Sequence, residues 1–346
     1  MVAAADAHRT CLTGGPRRLW FVEKRIAGRL NRQVGVVGLG CWQLGADWGE
    51  VDESDALALL HAAADTGVDF FDTADVYGDG RSETLVGRFL KERKDDGVFV
   101  ATKMGRRLPA QTTEGYNREN FLAWNDRSRR NLGVDTLDLV QLHCPPTAVY
   151  SRDEVYDTLD EMVEQQRIAA YGVSVEKVEE ALEAIKRPHV ASVQIILNAF
   201  RLKPLEDVLP AAAEAGVAIV ARVPLASGLL SGKYDKATTF GADDHRNYNR
   251  NGEAFDVGET FSGVPYEVGL EAVERLRPLV PEGATMAQFA LRWIIDQPGV
   301  TVVIPGARNV EQARANSGAA DLQPVDGKAV AAVYDELIRP HVHDRW

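Results

Sequence analysis

The sequence predicts an α/β protein, a single closed (β/α)8 (TIM) barrel. Three observations carry this. Short apolar runs alternate with stretches of helical periodicity; the runs are apolar on both faces; and the units recur at about 30 residues each. A strand covered by helices on both sides reads as a continuous apolar run rather than an alternating one. The rival is a doubly wound open sheet, which usually carries GxGxxG after its first strand. Gly35-Val36-Val37-Gly38-Leu39-Gly40 lacks that order, and no P-loop occurs.

The elements follow in order. Residues 1–20 carry Arg9, Arg17 and Arg18 around a Gly14-Gly15-Pro16 breaker, without the apolar stretch that a secretory signal requires. They read as a disordered extension, with the barrel domain spanning 21–346. Residues 21–32 are expected to form a hairpin closing the barrel's bottom. Strands are predicted at 34–39, 68–71, 98–102, 137–142, 169–173, 192–197, 218–223 and 300–304. Between them, Ala56, Leu59, Leu60 and Ala63 repeat at i, i+3, i+4 and i+7, one face of a helix. Helices are likewise read at 83–93, 118–132, 154–165, 176–186, 206–215 and 310–318. Two units echo each other, each placing a glycine (Gly67, Gly216) after an alanine-rich helix and before a buried strand. Glycine takes the left-handed helix-ending conformation without a Cβ penalty. Some forty residues after Val223, rich in Gly, Asn and Asp, break the rhythm. So long a loop is usually functional, and after the seventh strand it lies on the face where barrel active sites sit.

Composition narrows the function. The 346 residues carry 51 acidic and 39 basic side chains, a formal charge of -12, with 45% hydrophobic residues. Nucleic-acid binders neutralise phosphates with an excess of Lys and Arg, so that class is disfavoured. No run approaches the ~18 apolar residues of a membrane span. Cys11, Cys41 and Cys144 cannot all pair, and neither they nor the seven histidines fall at metal-ligand spacings. No metal is expected. Unpaired thiols fit a reducing, cytoplasmic setting.

Polar residues at the C-terminal ends of barrel strands read as catalytic. Asp72 ends the second strand, with Tyr77 in the Tyr77-Gly78-Asp79-Gly80 turn after it. Lys103 ends the third and His143 the fourth. A lysine cation beside a tyrosine favours phenolate, and an adjacent carboxylate stabilises the lysine. A tyrosine so tuned donates a proton to a developing alkoxide, and a histidine orients the carbonyl. The set fits carbonyl reduction with hydride from a cofactor.

These residues resemble the aldo-keto reductase superfamily. Asp72-Thr73-Ala74-Asp75-Val76-Tyr77-Gly78 with Ser82-Glu83 is similar to its first signature. Leu142-His143 with Pro145 and Pro146, then Gly172-Val173-Ser174, is similar to the second. Ile304-Pro305-Gly306 with Gln312 and Asn316 is similar to its C-terminal cofactor segment. The resemblance implies NADP(H) bound across the mouth, a small-molecule carbonyl substrate, and an NADP-dependent oxidoreductase in which Tyr77 is the general acid, Asp72 and Lys103 tune it and His143 orients the carbonyl. It implies that Ser174 and Gln194 hold the carboxamide. Arg222, Val223, Pro224, Leu225, Ser227 and Lys233 then line the nicotinamide and pyrophosphate, and Gly306, Arg308, Gln312 and Asn316 the adenosine phosphate. Arg308, near a helix N-terminus, suits a 2′-phosphate. Three positions depart from the pattern: Val175 replaces an asparagine, Ala315 a glutamate, and Arg222 an aromatic that stacks on the nicotinamide. The charge at Arg222 is expected to weaken binding of the oxidised cofactor relative to the reduced one, favouring reduction. Trp42, Trp48 and Tyr116 are candidate walls of the substrate pocket. The resemblance also admits the reverse reaction, oxidation of a sugar or alcohol, and a cofactor-sensing role like that of potassium-channel β subunits.

Overall fold

The computed structural model describes residues 23–45, 51–94 and 97–346. The expected extension and Trp48 lie outside the described residues.

Two strands, β1 (Lys24–Ile26) and β2 (Gln33–Gly35), pair antiparallel. Eight parallel strands follow: β3 (Leu39–Gly40), β4 (Phe70–Asp72), β5 (Phe99–Met104), β6 (Leu139–His143), β7 (Tyr171–Ser174), β8 (Val190–Ile196), β9 (Ala218–Arg222) and β10 (Val300–Val303). Each pairs with the next in chain order. Parallel bridges from Val37 to Val303 and from Gly40 to Gly306 join the first of these strands to the last, closing the barrel. Gly38 lets the chain cross there, since a Cβ would stand 2.7 Å from the Phe70 carbonyl oxygen.

The apolar run at 34–39 proves to be two elements. Its first half is the second hairpin strand, and only Leu39–Gly40 belongs to the parallel sheet. Arg29 N–H donates to the Gly216 carbonyl (2.8 Å), fixing the hairpin to the turn before β9. Ala27 and Val34 join Phe70, Phe99, Leu139, Val220 and Val302 in a buried cluster, so the hairpin helps plug the barrel's floor.

The larger apolar cluster lies between strands and helices. In α1 (Glu53–Asp65), Ala56, Leu59, Leu60 and Ala63 are each 0–2% exposed, the face that their spacing predicts. Asp52 caps this helix, accepting from Ser54 N–H at 2.7 Å, and Gly67 (φ 94°) and Gly216 (φ 68°) end their helices in the left-handed region. Two helices beyond the long loop, Tyr266–Leu276 and Met286–Ile295, complete the ring; the sequence reading did not assign them. The loop itself holds short turns at Ala226–Ser231, His245–Tyr248, Val257–Glu259 and Phe261–Gly263, and it folds over the mouth.

Candidate active site

Parallel register sets the site's floor. Lys103 lies level with Gln141, His143 with Ser174, and Ser174 with Gln194. Consecutive strand ends therefore deliver these side chains to one level of the mouth. Asp72 Oδ1 accepts from Lys103 Nζ at 2.5 Å, and Lys103 Nζ also donates to the Thr73 carbonyl (2.9 Å) and to Tyr77 Oη (3.3 Å). The other carboxylate oxygen accepts from Gln194 Nε2 (2.8 Å) and Gln141 Nε2 (3.3 Å). Asp72 and Lys103 are 3% and 1% exposed. An ion pair this deep needs further hydrogen bonds to offset its desolvation, and the two glutamines and the Thr73 carbonyl supply them.

The electrostatics differ from the sequence expectation at Tyr77. Burial raises the phenol above its ordinary value, and the opposing Lys103 cation does not cancel that effect. Tyr77 is thus held protonated, with a cation 3.3 Å from its oxygen ready to stabilise phenolate as the proton leaves. Lys103 is itself held cationic: burial works against the charge, but Asp72 and Tyr77 outweigh it. His143 stands edge-on to the Tyr77 ring, centroids 5.9 Å apart. Burial, with Arg106, Lys103 and Arg222 around it, drives its pKa well below 6.5, so the imidazole is neutral.

Above this floor opens a cleft of about 490 Å³. Asp72, Tyr77 and His143 line its deep end, and Lys103 supports them from beneath. All twelve residues expected at the cofactor line it: Ser174, Gln194, Arg222, Val223, Pro224, Leu225, Ser227, Lys233, Gly306, Arg308, Gln312 and Asn316. Its far end gathers Lys233 and Arg308, with Arg246 there paired to Asp244, beside the helix Val310–Ser317, whose cap Asn309 accepts from Gln312 N–H. A Cβ at Gly306 would meet the Gln43 amide at 2.1 Å, so glycine lets that side chain pack against the backbone of this wall. The cleft runs from the Tyr77 phenol to a pocket that carries Lys233 and Arg308, a lining that fits a phosphorylated dinucleotide.

Trp42 forms a wall, stacked on Tyr77 (6.0 Å) and packed by His245 (5.4 Å) and Phe255 (6.1 Å) from the long loop. Tyr116 does not reach the cleft. It is 1% exposed, packs on Phe121 and Trp124, and donates to Gln111 Oε1, a loop anchor rather than a pocket wall.

Arg222 also departs from expectation. Its guanidinium donates to Glu259 Oε1 (2.6 Å), Glu176 Oε2 (2.9 Å) and the Val175 carbonyl (2.9 Å). Arg106 approaches the same carboxylates at 3.3 and 4.0 Å. The cation is therefore compensated, and a bare positive charge beside the oxidised ring is not what this mouth presents. Burial pushes the Glu176 carboxyl up to about 7 against Arg222, whereas at Glu259 the arginines overcome burial and hold it below its ordinary value. Cys144, Glu176 and Glu259 bring metal-ligating atoms within 4.8 Å of one another, but guanidinium groups already pair both carboxylates. The sequence reading missed Gln141, Glu176, Glu259 and Arg106. Only Gln141, a polar residue inside an apolar strand, carried a signal there.

The fold and site together define a (β/α)8-barrel oxidoreductase, with no Rossmann domain among the described residues. Residues 36–337 match the model of the aldo/keto reductase family, and the chain belongs to that family. The aldo-keto reductase YhdN of Bacillus subtilis is 33% identical over 288 residues, 81% of this chain and 83% of that one. The glycerol dehydrogenase AKR11B4 from Gluconobacter oxydans superposes with a TM-score of 0.74 at 30% identity, covering 93% of this chain and 97% of the other. The holo form of the aldo-keto reductase AKR11C1 from Bacillus halodurans gives 0.73 at 25%, covering 94% and 99%. Among the described residues no helix is long and apolar enough to cross a membrane.

Proposed function

We propose that this chain is an NADP(H)-dependent reductase that converts an aldehyde or ketone to an alcohol, with Tyr77 as the proton donor. The observation that carries the proposal is the closed relay Asp72–Lys103–Tyr77 on the floor of a cleft whose other end is cationic. The nicotinamide, when bound, supplies hydride to the carbonyl carbon. Tyr77 Oη hydrogen-bonds the carbonyl oxygen and gives up its proton as negative charge develops there. Lys103, fixed by Asp72, steadies the phenolate left behind. Neutral His143 beside Tyr77 offers the same oxygen a hydrogen bond without introducing a second charge. Trp42, Phe255 and His245 exclude water from the reacting carbon.

Arg308 recognises the 2′-phosphate, which favours NADP(H) over NAD(H), and Lys233 serves the pyrophosphate. Unpaired thiols support a cytoplasmic setting. The test is loss of nicotinamide absorbance with NADPH and with NADH against a panel of aldehydes and ketones. Turnover dependent on NADPH supports the reading. A protein that binds neither cofactor refutes it.

A further inference from the structure

Glu259, which holds Arg222 at the mouth, is carried by a turn that is fastened from behind. Its inner side is tied to the barrel. Ser227 Oγ donates to the Glu259 carbonyl (2.8 Å) and accepts from Phe261 N–H (3.1 Å), while Asn198 Nδ2 bonds Ser262 Oγ (2.7 Å) and the Val223 carbonyl (2.9 Å). On its outer side lies Trp346, 5% exposed. The indole Nε1 donates to Asp256 Oδ1 (3.0 Å), and the same oxygen accepts from Gly258 N–H (2.7 Å). Gly263, at φ 75°, faces the indole so closely that a Cβ would stand 2.4 Å from it. Arg201 lies flat on the ring, its guanidinium carbon 3.4 Å from the centroid. That guanidinium is buried, and its two terminal nitrogens have no hydrogen-bond partner among the described residues. The aromatic face offers it a desolvated cation–π contact, and the carboxylates of Glu176, Asp256 and Glu259 favour its charge from a distance. Trp346, Arg201 and Asp256 do not line the cleft.

We infer that Trp346 is a positioning residue: with Arg201 and Asp256 it seats residues 257–263 so that Glu259 stands on Arg222, and it thereby sets how long the mouth retains its cofactor. The inference rests on the reading of the cleft as a dinucleotide site. Its logic is that of a lid whose opening limits release. Asp256 stands three residues before Glu259, so freeing the indole contact frees the short turn that carries the carboxylate. Arg222 then keeps Glu176 and the Val175 carbonyl but loses its shortest partner.

The test compares Trp346→Ala, Trp346→Phe, Glu259→Gln and the double variant Trp346→Ala/Glu259→Gln. Stopped-flow release of NADPH is measured alongside amide hydrogen exchange across 257–263. Trp346→Ala is expected to speed both NADPH release and exchange about tenfold, ~1.4 kcal/mol. Trp346→Phe keeps the stacked ring and falls between. The double variant should release NADPH no faster than Glu259→Gln alone, because both changes act through one contact. Fully additive effects overturn the inference, as do unchanged release and exchange in a folded Trp346→Phe together with Trp346→Ala. Should the wild-type protein fail to bind NADPH, the functional reading falls, and exchange at 257–263 alone decides the latch: acceleration in the Trp346 variants supports it, and none overturns it.

Discussion

Asp75 offers a prediction whose sign and size follow from the structure. It is 0% exposed, and neither carboxylate oxygen has a hydrogen-bond partner among the described residues. Burial, helped by nearby Glu83 and resisted by Arg107 and Arg127, raises its pKa from 3.8 to about 7. An acid whose folded pKa lies above its unfolded one contributes fully below the unfolded value, and that contribution is lost as pH rises through the folded value. Between pH 4 and 7 the fold therefore bears a growing cost of either holding a proton or burying a charge. At ~1.4 kcal/mol per unit the full cost is on the order of 4 kcal/mol. Asp75→Asn keeps the shape and removes the titration. The variant should match the wild type near pH 4 and exceed it above pH 7. With roughly 2.1 cal/mol/K per residue of unfolding entropy, that gain is about 5 °C in thermal midpoint. The assay is the difference in midpoint between the two proteins from pH 4 to 9, in which titrations common to both cancel. A pH-independent difference, or a variant less stable at pH 8, would refute the reasoning.

Other predictions test neighbouring parts of the site. Lys103→Met strands the buried Asp72 carboxylate and should cost ~3–5 kcal/mol of stability, with part recovered in Lys103→Met/Asp72→Asn; chemical denaturation of both variants checks this, and an unrecovered double variant contradicts it. Arg308→Ala removes a charge-assisted contact of ~1.5–3 kcal/mol, so NADPH affinity should fall at least tenfold while NADH affinity holds, as read by fluorescence titration. Because its surroundings keep His143 neutral, kcat/KM should show no break near pH 6.5 arising from it; a break there that disappears in His143→Gln would count against the assignment.

Much of this was legible in the sequence because barrel strands buried on both faces announce themselves. Seven of the eight parallel strands coincide with apolar runs, and the polar residue after each of three marked the floor of the site. The first strand was misread for a physical reason: the run at 34–39 stays apolar while the chain passes from an antiparallel hairpin into a parallel sheet, and hydropathy does not register the change of partner. Glu176 and Glu259 were invisible for another. Single acids in Val175-Glu176-Lys177 and Gly258-Glu259-Thr260 look solvated; barrel closure sets Glu176, just past its strand, against Arg222, and the folded lid brings Glu259 there. The same closure turned an apparently exposed cation into a compensated one. Tyr116 failed in the opposite direction, since an aromatic in a mouth loop serves equally well as that loop's own anchor.

The central claim is that Tyr77 delivers the proton, and single-turnover reduction of a carbonyl substrate by bound NADPH tests it most directly in Tyr77→Phe. The account predicts that this variant keeps its NADPH dissociation constant and loses about 10²–10⁴-fold in the rate of the chemical step. A variant that binds NADPH normally and reduces the substrate at the wild-type rate would contradict it.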